Sequence, residues 1–388
     1  MMPATDVPSD VSDPLNRQIL RVSEDLVQGF HRHPLRQIAD ASGVELDTVV
    51  QRLCAMLEAG TIRRIRQTML ATSLAPGALV AWRVPPKRLN AAFDWMFQND
   101  PFSGHVVLRT TDGDTPGSKY RLWTTVKVPS AYDMHKHCAH LAQQTGAEAF
   151  RLLPAKRLFA LGVGHVRRKE LEPGDKTDAP GRVIGTTVVD LDDRQWRVLM
   201  ALKREFAPEE LGAAVDGDLW APRAAEAGET IEGFLGVAAQ LSELGVVGRF
   251  STFLEHVKRH ASGERVTRFN ALFHWKVPEG REIDAGREVG RFHCMTHAYW
   301  REGGPEFADV NIMGVSHGTE KEKVLAHKAA IDAHLESVGI PVAYTNVFWG
   351  GRSEIKPSEL SPLVYRDWLA QQGLDEAAFR RDAAAVSA

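Results

Sequence analysis

A strand-like stretch near residue 300 carries side chains that could do chemistry. Residues 291–301 read RFHCMTHAYWR, and a strand period of two places His293, Met295, His297 and Tyr299 on one face. Two histidines and a tyrosine could supply a ligand for a metal or haem iron together with donors for proton transfer. The alternative is an ordinary half-buried strand whose histidines hydrogen-bond to their neighbours.

Two sets of basic residues could bind anions. Arg63, Arg64 and Arg66 lie in one β-branched stretch, and Arg109 follows His105 on another. Guanidinium forks bind carboxylates through paired hydrogen bonds, so this set could hold an acidic ligand. Either set could equally be solvated surface charge. The second set lies in a later loop and consists of His256, Lys258, Arg259 and His260.

The run HKHCAH (135–140) resembles a metal-binding motif, but its spacing argues against one. On a helix only His137 and His140 come near each other, and the favoured pair four residues apart is absent. We therefore expect a solvated helix face and no metal site. The chain also lacks the G-x-S-x-G, P-loop and H-E-x-x-H signatures of common hydrolases and nucleotide-binding proteins.

Length and composition indicate a globular chain of several domains. The sequence has 388 residues, of which 44% are hydrophobic and 25% charged, with a formal net charge of −3. No apolar run reaches the roughly 18 residues that span a bilayer, and the N-terminal residues show no secretory signal. Cys54, Cys138 and Cys294 form no close pair, so we expect a reduced cytoplasmic protein with no membrane partner.

The elements that position these residues occur in two similar halves. In the first half, residues 1–13 are expected to be disordered, 14–76 to form three helices and a hairpin wing, and 77–165 to follow the order βαββαβ. Residues 166–187 are a predicted linker. The first pattern is typical of a winged helix-turn-helix, and the second is typical of a ferredoxin-like domain.

The second half repeats this plan. Residues 188–262 are predicted to form a divergent winged helix-turn-helix, 263–355 a second ferredoxin-like domain and 356–388 a helical tail. The strand ALVAWRVP of the first half matches FNALFHWKVP of the second, and a strand histidine, His105 or His297, follows each at nearly the same interval. This agreement of order, motif and spacing indicates a tandem duplication and an α+β fold.

The sequence disfavours DNA binding by the winged helices. A DNA-binding surface needs Lys or Arg to neutralise phosphates and polar side chains to read bases. Between Ala224 and Gly248, around the third helix of the second half, there is no Lys or Arg, whereas there are four glutamates. We expect no DNA partner, and a ligand-responsive transcription regulator stays open as an alternative.

Short motifs run through both halves in the same order. In the first half they are IRRIRQTML (62–70), ALVAWRVP (78–85), HVVLR (105–109), KYRLW (119–123) and LLPAKRLFAL (152–161). In the second half they are GRFSTFLEH (248–256), FNALFHWKVP (269–278), THAYWR (296–301) and VNIMGVSHGTEKEKVL (310–325). With these motifs the chain resembles the Lrp/AsnC group, which joins a winged helix to a ferredoxin-like effector domain. More specifically, it resembles the sirohaem decarboxylases, Lrp-like proteins found as paired subunits or fusions.

The resemblance implies which residues act. His297 and Tyr299 match the histidine and tyrosine of a T/S-H-C-Y-x-R strand, and His256 matches a histidine after the wing. The candidate catalytic residues are therefore His256, His297 and Tyr299. The candidate substrate-binding residues are Arg63, Arg64, His105, Arg109, Arg249, His293 and Arg301.

Departures from the family pattern distinguish the two halves. The first half has Val107 where the family has tyrosine, and no histidine follows its wing. The second half has Ala298 where the family has cysteine, and it lacks one of the two wing arginines. The wing glycine is replaced by Arg66 and Ser251. The second half is therefore the better candidate for catalysis, and the first is expected to supply carboxylate-binding residues.

The resemblance also implies a reaction. The acetate side chains of sirohaem would lose CO₂ to give didecarboxysirohaem, in the synthesis of haem or of the haem of nitrite reductase. His297 would either ligate the substrate iron or donate a proton, and the sequence leaves both roles open. We expect no cofactor besides the iron tetrapyrrole substrate, which would lie in a cavity between the halves beside His297. The chain would be a pseudo-dimer, with a homodimer and a non-catalytic haem-binding sensor as open alternatives.

Overall fold

The computed structural model describes residues 7–70, 73–161, 171–183, 188–215, 217–254 and 269–382. The chain folds into two compact units. The first, here called the helical unit, lies within Met1–Leu74 and Val189–Arg265, and the second, the sheet unit, lies within Ala75–Val188 and Val266–Ala388. Each unit therefore combines one segment from each half of the duplication.

The helices of the described residues divide between these units. In chain order they are α1 (Pro14–Ser23), α2 (Pro34–Ser42), α3 (Leu46–Glu58), α4 (Leu89–Asn99), α5 (Met134–Thr145), α6 (Asp193–Leu202), α7 (Pro208–Ala213), α8 (Ala221–Glu226), α9 (Ile231–Glu243), α10 (Glu282–Val289), α11 (Lys321–Ser337), α12 (Pro362–Gln371) and α13 (Glu376–Phe379). No helix of this described part of the chain is long and apolar enough to cross a bilayer.

The strands form a two-stranded and a nine-stranded sheet in the described residues. In chain order they are β1 (Ile62–Met69), β2 (Gly77–Arg83), β3 (Ser103–Thr110), β4 (Leu122–Lys127), β5 (Ala149–Pro154), β6 (Arg157–Leu161), β7 (Val247–Leu254), β8 (Phe269–Lys276), β9 (Met295–Trp300), β10 (Ile312–Gly318) and β11 (Tyr344–Ile355). The smaller sheet belongs to the helical unit and the larger one to the sheet unit.

Several helices begin at polar caps that the sequence provides. The Asp13 side chain accepts hydrogen bonds from the first backbone amides of α1, and Asp133 does the same for α5. Asp192 and Gln195 form a reciprocal capping box at the start of α6. These caps satisfy amide groups that a helix cannot pair internally, so they fix where the helices start.

The two predicted wings share one sheet. The described part of the stretch 61–71 contains one strand, β1, and it pairs antiparallel with β7 of the other half. The prediction of a hairpin wing within this stretch is therefore wrong. Local β propensity indicated the strand but did not reveal that its partner lies far away in the sequence.

The nine-stranded sheet contains the same topology twice. Its first-half strands lie in the order β5-β2-β4-β3, and its second-half strands lie in the order β11-β8-β10-β9. Each set alternates with helices in the chain order βαββαβ. The predicted α+β fold and its duplication are thereby confirmed.

Two long strands are exchanged between the halves. The first part of β11 pairs with β8, and its second part pairs with β3 of the first half. In the same way β5 pairs with β2, and only Ala155 and Lys156 separate it from β6, which pairs with β9 of the second half. Because only two residues join β5 to β6, the chain links the two ends of the sheet directly. We call β5–β6 and β11 the exchanged strands.

The sheet unit has three hydrophobic clusters. One lies between the first-half sheet and α4, α5 and α12, and another lies between the second-half sheet and α10 and α11. The third, here called the inner cluster, comes from the opposite face of both sheets and includes Trp123, Met313 and Phe348. Each strand therefore alternates between an outer face against helices and an inner face shared by both halves.

Two segments are more ordered than expected. The predicted disorder of residues 1–13 is wrong for the described residues 7–13, because the Asn16 side chain donates to the backbone oxygens of Pro8 and Asp10, each at 2.9 Å. Within the predicted linker, the described residues 171–183 hydrogen-bond along α10 and the turn after it: Thr177 N donates to Arg291 O at 3.0 Å and Gly181 N to Arg287 O at 2.8 Å.

Candidate functional site

The inner face of the sheet unit brings together predicted site residues from both halves. His105 on β3 is paired with Thr125 on β4, and His297 on β9 is paired with Val315 on β10. The two histidines therefore occupy equivalent positions in the duplicated sheets. Strand alternation places Arg109 on the same face as His105.

The strand registers define further equivalent positions. By these registers, the positions equivalent in the two halves are Val107 and Tyr299, Arg109 and Arg301, Lys127 and His317, Gly77 and Asn270, and Ala81 and His274. The halves are thus alike in backbone but differ in several inward-facing side chains. This difference makes the inner face chemically asymmetric.

His297 and Tyr299 form a parallel pair of rings. Their centroids are 5.9 Å apart and their planes differ by 5°. His297 Nδ1 lies 3.2 Å from Thr296 Oγ1, and the Arg301 guanidinium lies 4.4 Å from the centroid of the Tyr299 ring. Burial raises the pKa of Tyr299 although Arg301 opposes this effect, so the phenol stays protonated and can donate a hydrogen bond at neutral pH.

The two equivalent arginines are anchored to the exchanged strands. Arg109 Nη1 donates to Phe348 O on β11 at 3.2 Å and to Asn270 Oδ1 at 3.4 Å. Arg301 Nη1 donates to Leu153 O on β5. Burial lowers the pKa of Arg109 to about 10 and also lowers that of Arg301, yet both remain charged at pH 7. Part of the hydrogen-bonding capacity of each is therefore used within the fold.

His105 differs from an ordinary surface histidine. Its Nε2 lies 2.8 Å from Ser353 Oγ on β11. Burial first, and then the charges of Arg109 and His297, lower the pKa of His105 to about 4. The imidazole is therefore neutral at pH 7. His297 belongs to the second half, so this interaction joins residues of both halves on the inner face.

Two inward-facing residues were missed in the sequence. Lys127 lies at the end of β4 and is half-buried. His274 on β8 is 1% exposed, and its ring lies 4.8 Å from that of Phe348. A period of two along KYRLWTTVKV places Lys127 on the same face as Trp123, but this signal becomes informative only when that face is known to be the inner one.

The inward-facing strand positions carry cations and no acids, and acids reach the ends of this face only from loops, as in the salt bridge of Asp309 with Lys276. None of the inward-facing positions of the described strands in the sheet unit is Asp or Glu. Burial is the main cause that lowers the pKa values of Lys127 and His274, and the second cause in each case is a neighbouring arginine. A ligand with several carboxylates would complement these charges.

His293 does not lie on the predicted face. The strand begins at Met295, and His293 precedes it in a turn where its backbone N donates to Asp175 O at 3.0 Å. Met295 packs in the outer cluster with α10 and α11, whereas His297 faces inward. The predicted strand face containing His293, Met295, His297 and Tyr299 is therefore wrong for its first two members. His293 precedes the strand, and an irregularity in the pairing of β9 with β10 between Met295 and His297 breaks the alternation.

The wing residues lie in the helical unit. Arg64 Nη1 forms a salt bridge of 3.2 Å with Glu205, and Arg249 Nε donates to Ser251 Oγ at 3.3 Å. Arg63 lies beside Arg64 on β1 and is half-buried. A role for these arginines in binding carboxylates stays a prediction. The other predicted wing residues, His256 with Lys258, Arg259 and His260, lie outside the described residues.

Three side chains of the HKHCAH run are buried, whereas His135 is exposed. His137 is fully buried, with Nδ1 3.1 Å from the Tyr365 hydroxyl and Nε2 3.5 Å from an Asp100 carboxylate oxygen. Cys138 and His140 are also buried. The expectation of a solvated helix face is wrong because α12, more than 200 residues later, covers α5. In the described residues, no group of three or more His, Cys, Asp or Glu is placed to hold a metal ion.

Two cavities of the sheet unit lie away from these histidines. One of about 360 Å³ is lined by α11, β11 and the loop after β3, including Asp112 and Asp332. The other, of about 230 Å³, lies beside α10. Neither is lined by His105 or His297, so a macrocycle cavity beside His297 stays a prediction.

Comparison with known proteins supports the resemblance found in the sequence. Residues 74–160 match the model of the AsnC-like ligand binding domain. The chain is 23% identical over 326 residues to the siroheme decarboxylase NirDL subunit of Paracoccus pantotrophus, which covers 81% of this chain and 90% of that protein. It is 26% identical over 149 residues to a siroheme decarboxylase beta subunit of Methanosarcina barkeri (strain Fusaro / DSM 804), covering 38% of this chain and 95% of that protein.

Solved structures agree with this result. The crystal structure of the siroheme decarboxylase NirDL has a TM-score of 0.66 and 18% identity, covering 92% of this chain and 99% of that one. A second NirDL structure, in co-complex with an iron-uroporphyrin III analogue, has the same TM-score at 17% identity. This chain is similar to the sirohaem decarboxylases in sequence and in fold. The predicted resemblance is thereby confirmed.

The length of the match differs between the NirDL subunit and the beta subunit. The NirDL subunit matches most of this duplicated chain, whereas the beta subunit has 95% of its own length in a match of only 149 residues. In its two-half organisation the chain is thus similar to the NirDL subunit rather than to the shorter beta subunit. At these identities the solved structures establish the fold, and the roles of individual residues stay predictions.

Proposed function

We propose that this chain is a sirohaem decarboxylase that removes CO₂ from acetate side chains of an iron tetrapyrrole. The observation that carries the proposal is the convergence of imidazole, phenol and cationic groups from both halves on an inner face whose strand positions carry no acid. Similarity over most of the chain to the NirDL subunit supports the same activity. The iron belongs to the substrate.

Carboxylate binding follows from the charges of the inner face. Sirohaem carries several carboxylates around a macrocycle, and Arg109 and Arg301 are charged at pH 7. Both arginines are fixed by the exchanged strands, so little side-chain entropy is lost when they bind an anion. We infer that these residues hold carboxylates that do not react and thereby determine which acetate is presented.

Proton transfer is assigned to the second half. In the reaction the bond between the methylene carbon and the carboxylate breaks, CO₂ leaves, and the electron pair passes into the ring system. A proton must then reach the methylene carbon to form a methyl group. Because the pKa of His105 is lowered to about 4, that side chain is neutral at pH 7 and is not in the acidic imidazolium form. We therefore assign proton donation or iron ligation to His297 and a hydrogen bond to the substrate to Tyr299.

The remaining assignments extend the same proposal. His256 stays a candidate acid–base residue, and Arg63, Arg64 and Arg249 stay candidates for carboxylate binding. A cytoplasmic location and the absence of a DNA partner stay predictions. Self-association into a homodimer also stays open, because the exchanged strands already join the two halves within one chain.

One experiment separates the enzyme from a non-catalytic binder. The purified chain is incubated with sirohaem without oxygen, and the Soret band and the product masses are recorded. We expect a Soret shift and products lighter by one or two molecules of CO₂. A Soret shift without a mass change would indicate a carrier or sensor. Neither change, together with a gel shift on DNA at physiological salt, would indicate a regulator.

A further inference from the structure

We propose that Lys127 binds a carboxylate of the tetrapyrrole, an inference that rests on the proposed function. Lys127 is the last residue of β4, and its partner across the sheet is Gly77 on β2. Trp123 of the same strand packs in the inner cluster, so alternation directs Lys127 inward as well. The lysine therefore lies on the face that also carries His105.

The absence of a side chain at Gly77 makes room for this lysine. A Cβ atom at residue 77 would lie 3.2 Å from Lys127 Cγ, 3.6 Å from Cε and 3.7 Å from Nζ. At the equivalent position of the second half stands Asn270, whose side-chain oxygen accepts from Arg109. Gly77 thus lets the lysine lie along β2 and offers its ammonium no side-chain acceptor.

The Lys127 ammonium has no counterion in the chain as described. Its side chain makes no hydrogen bond or salt bridge with the described residues, and the charged group that acts on it is Arg301, a second cation. A half-buried cation, Lys127, near a buried one, Arg301, costs free energy that an anion from outside the chain would offset. Lys127 thus has the environment of an anion-binding residue.

Lys127 also differs from the neighbouring arginines in what it can offer. Arg109 and Arg301 each donate a hydrogen bond to a backbone oxygen, that of Phe348 and that of Leu153 respectively. Lys127 keeps its three donors for a ligand. Burial and the charge of Arg301 lower the pKa of Lys127 to about 8, so it is charged at pH 7 and loses its proton at mildly alkaline pH.

The test compares Lys127→Met, which removes the charge, with Lys127→Arg, which keeps it. Iron uroporphyrin, a polycarboxylate probe, is titrated into each protein at pH 7 and followed by its Soret band. We expect Lys127→Met to weaken binding about 10- to 100-fold, as for loss of a hydrogen bond between charged groups, and Lys127→Arg to bind within about threefold of wild type. Lys87→Met, at an exposed position in the same unit, is the matched control.

Two further readouts separate binding from a structural role. Removing an uncompensated cation should leave the Tm of the free protein unchanged or raise it, while affinity falls. Wild-type affinity should also decline above about pH 8, as Lys127 loses its proton, whereas Lys127→Arg should hold its affinity to about pH 9.5. The other charged or titratable groups on this face, among them Arg301, Arg109, His105, His297 and Tyr299, are present in both proteins, so the difference between the two profiles reports residue 127.

The outcomes are distinguishable from those of the proposed function. If wild type binds iron uroporphyrin and decarboxylates sirohaem but Lys127→Met binds as tightly, the inference about Lys127 is wrong and the enzyme assignment stands. A large fall in Tm for Lys127→Met that Lys127→Arg does not rescue would also overturn it, since Lys127 would then be structural. If wild type neither binds nor decarboxylates, the proposed function fails and this inference fails with it.

Discussion

The inner face of the sheet unit owes its asymmetry to single residues. His105 and His297 occupy equivalent positions, but the first is neutral at pH 7 and hydrogen-bonds to Ser353, whereas the second stacks on Tyr299. Where the second half has Tyr299, the first half has only Val107. Under the proposed function, the duplicated backbone presents one set of residues for proton transfer and another for holding the ligand.

Replacing His297 with alanine should separate folding from chemistry. The side chain is half-buried, so its loss should change the Tm by only a few degrees, while decarboxylation should slow by at least about 100-fold, the usual contribution of an acid–base group. Product masses over time measure the rate. His33→Ala, at an exposed position on the helical unit, serves as a control.

The same variant also tells the two roles of His297 apart. If His297 ligates the iron, the Soret band of the bound tetrapyrrole should move in His297→Ala. If it donates a proton, the band should stay in place and only the rate should fall. An unchanged decarboxylation rate would contradict both roles.

His274 should make the protein sensitive to acid. Burial first, and then the charge of Arg109, lower the pKa of His274 from 6.5 to about 3. Between these two values the unfolded chain binds a proton that the folded chain does not, so stability falls as pH falls through this window. His274→Leu should reduce the loss of unfolding free energy between pH 7 and pH 5 by about 2 kcal/mol.

Urea unfolding of both proteins at the two pH values measures this difference. His140, whose pKa burial also lowers, is present in both proteins and cancels in the comparison. An equal acid response in wild type and His274→Leu would mean that His274 gains its proton without leaving the fold.

At the scale of elements, contacts between a helix and an exchanged strand are very close. The Phe159 ring of β6 packs on Gly286 of α10, where an added Cβ would lie only 2.1 Å from the nearest ring atom. Phe159 is buried and cannot move aside easily. The approach of strand and helix therefore depends on the absence of a side chain at this position.

Two glycine substitutions should consequently have opposite effects. Gly286→Ala should destabilise the protein by about 1–3 kcal/mol through overpacking. Gly236→Ala, on the exposed face of α9 where nothing lies within 4 Å, should stabilise it by about 0.5–1 kcal/mol through helix propensity. Chemical denaturation measures both, and destabilisation of similar size by the two alanines would contradict this account.

The sequence predicted the elements better than their partners. Alternation and turn residues indicated the βαββαβ order, because those signals are local. The pairing of β1 with β7 and the exchange of β6 and β11 depend on contacts far apart in the chain, which local patterns do not specify. The same limit explains the error at His137, whose covering partner Tyr365 lies 228 residues away.

The candidate site was predicted in part for the same reason. His105, Arg109, His297, Tyr299 and Arg301 were found because they lie in motifs that resemble a family. Lys127 and His274 lie outside those motifs, and their importance depends on the burial and charge of the inner face, which only the folded chain reveals.

At the scale of the molecule, neither half of the chain can form the sheet unit alone. The inner cluster takes residues from both halves, and each exchanged strand pairs with the other half. A half expressed alone would expose an apolar face and unpaired strand edges, which favour aggregation.

Splitting the chain between residues 183 and 188 tests this dependence. We expect fragments 1–183 and 188–388 to be insoluble when expressed separately and to copurify as a complex when expressed together. The joined fragments should decarboxylate sirohaem at a rate close to that of the intact chain. A soluble, cooperatively unfolding single fragment would show that the halves are independent.

Fusing the two halves frees the inner face from a constraint that identical subunits obey. In a symmetric pair, every substitution appears twice, so a tyrosine gained at one end is gained at the other. Here Val107 and Tyr299, or Lys127 and His317, can differ while the exchanged strands keep both halves in register. A macrocycle whose four rings are not alike can then meet a different neighbour at each edge, and duplication followed by divergence provides one route to recognising such an irregular molecule.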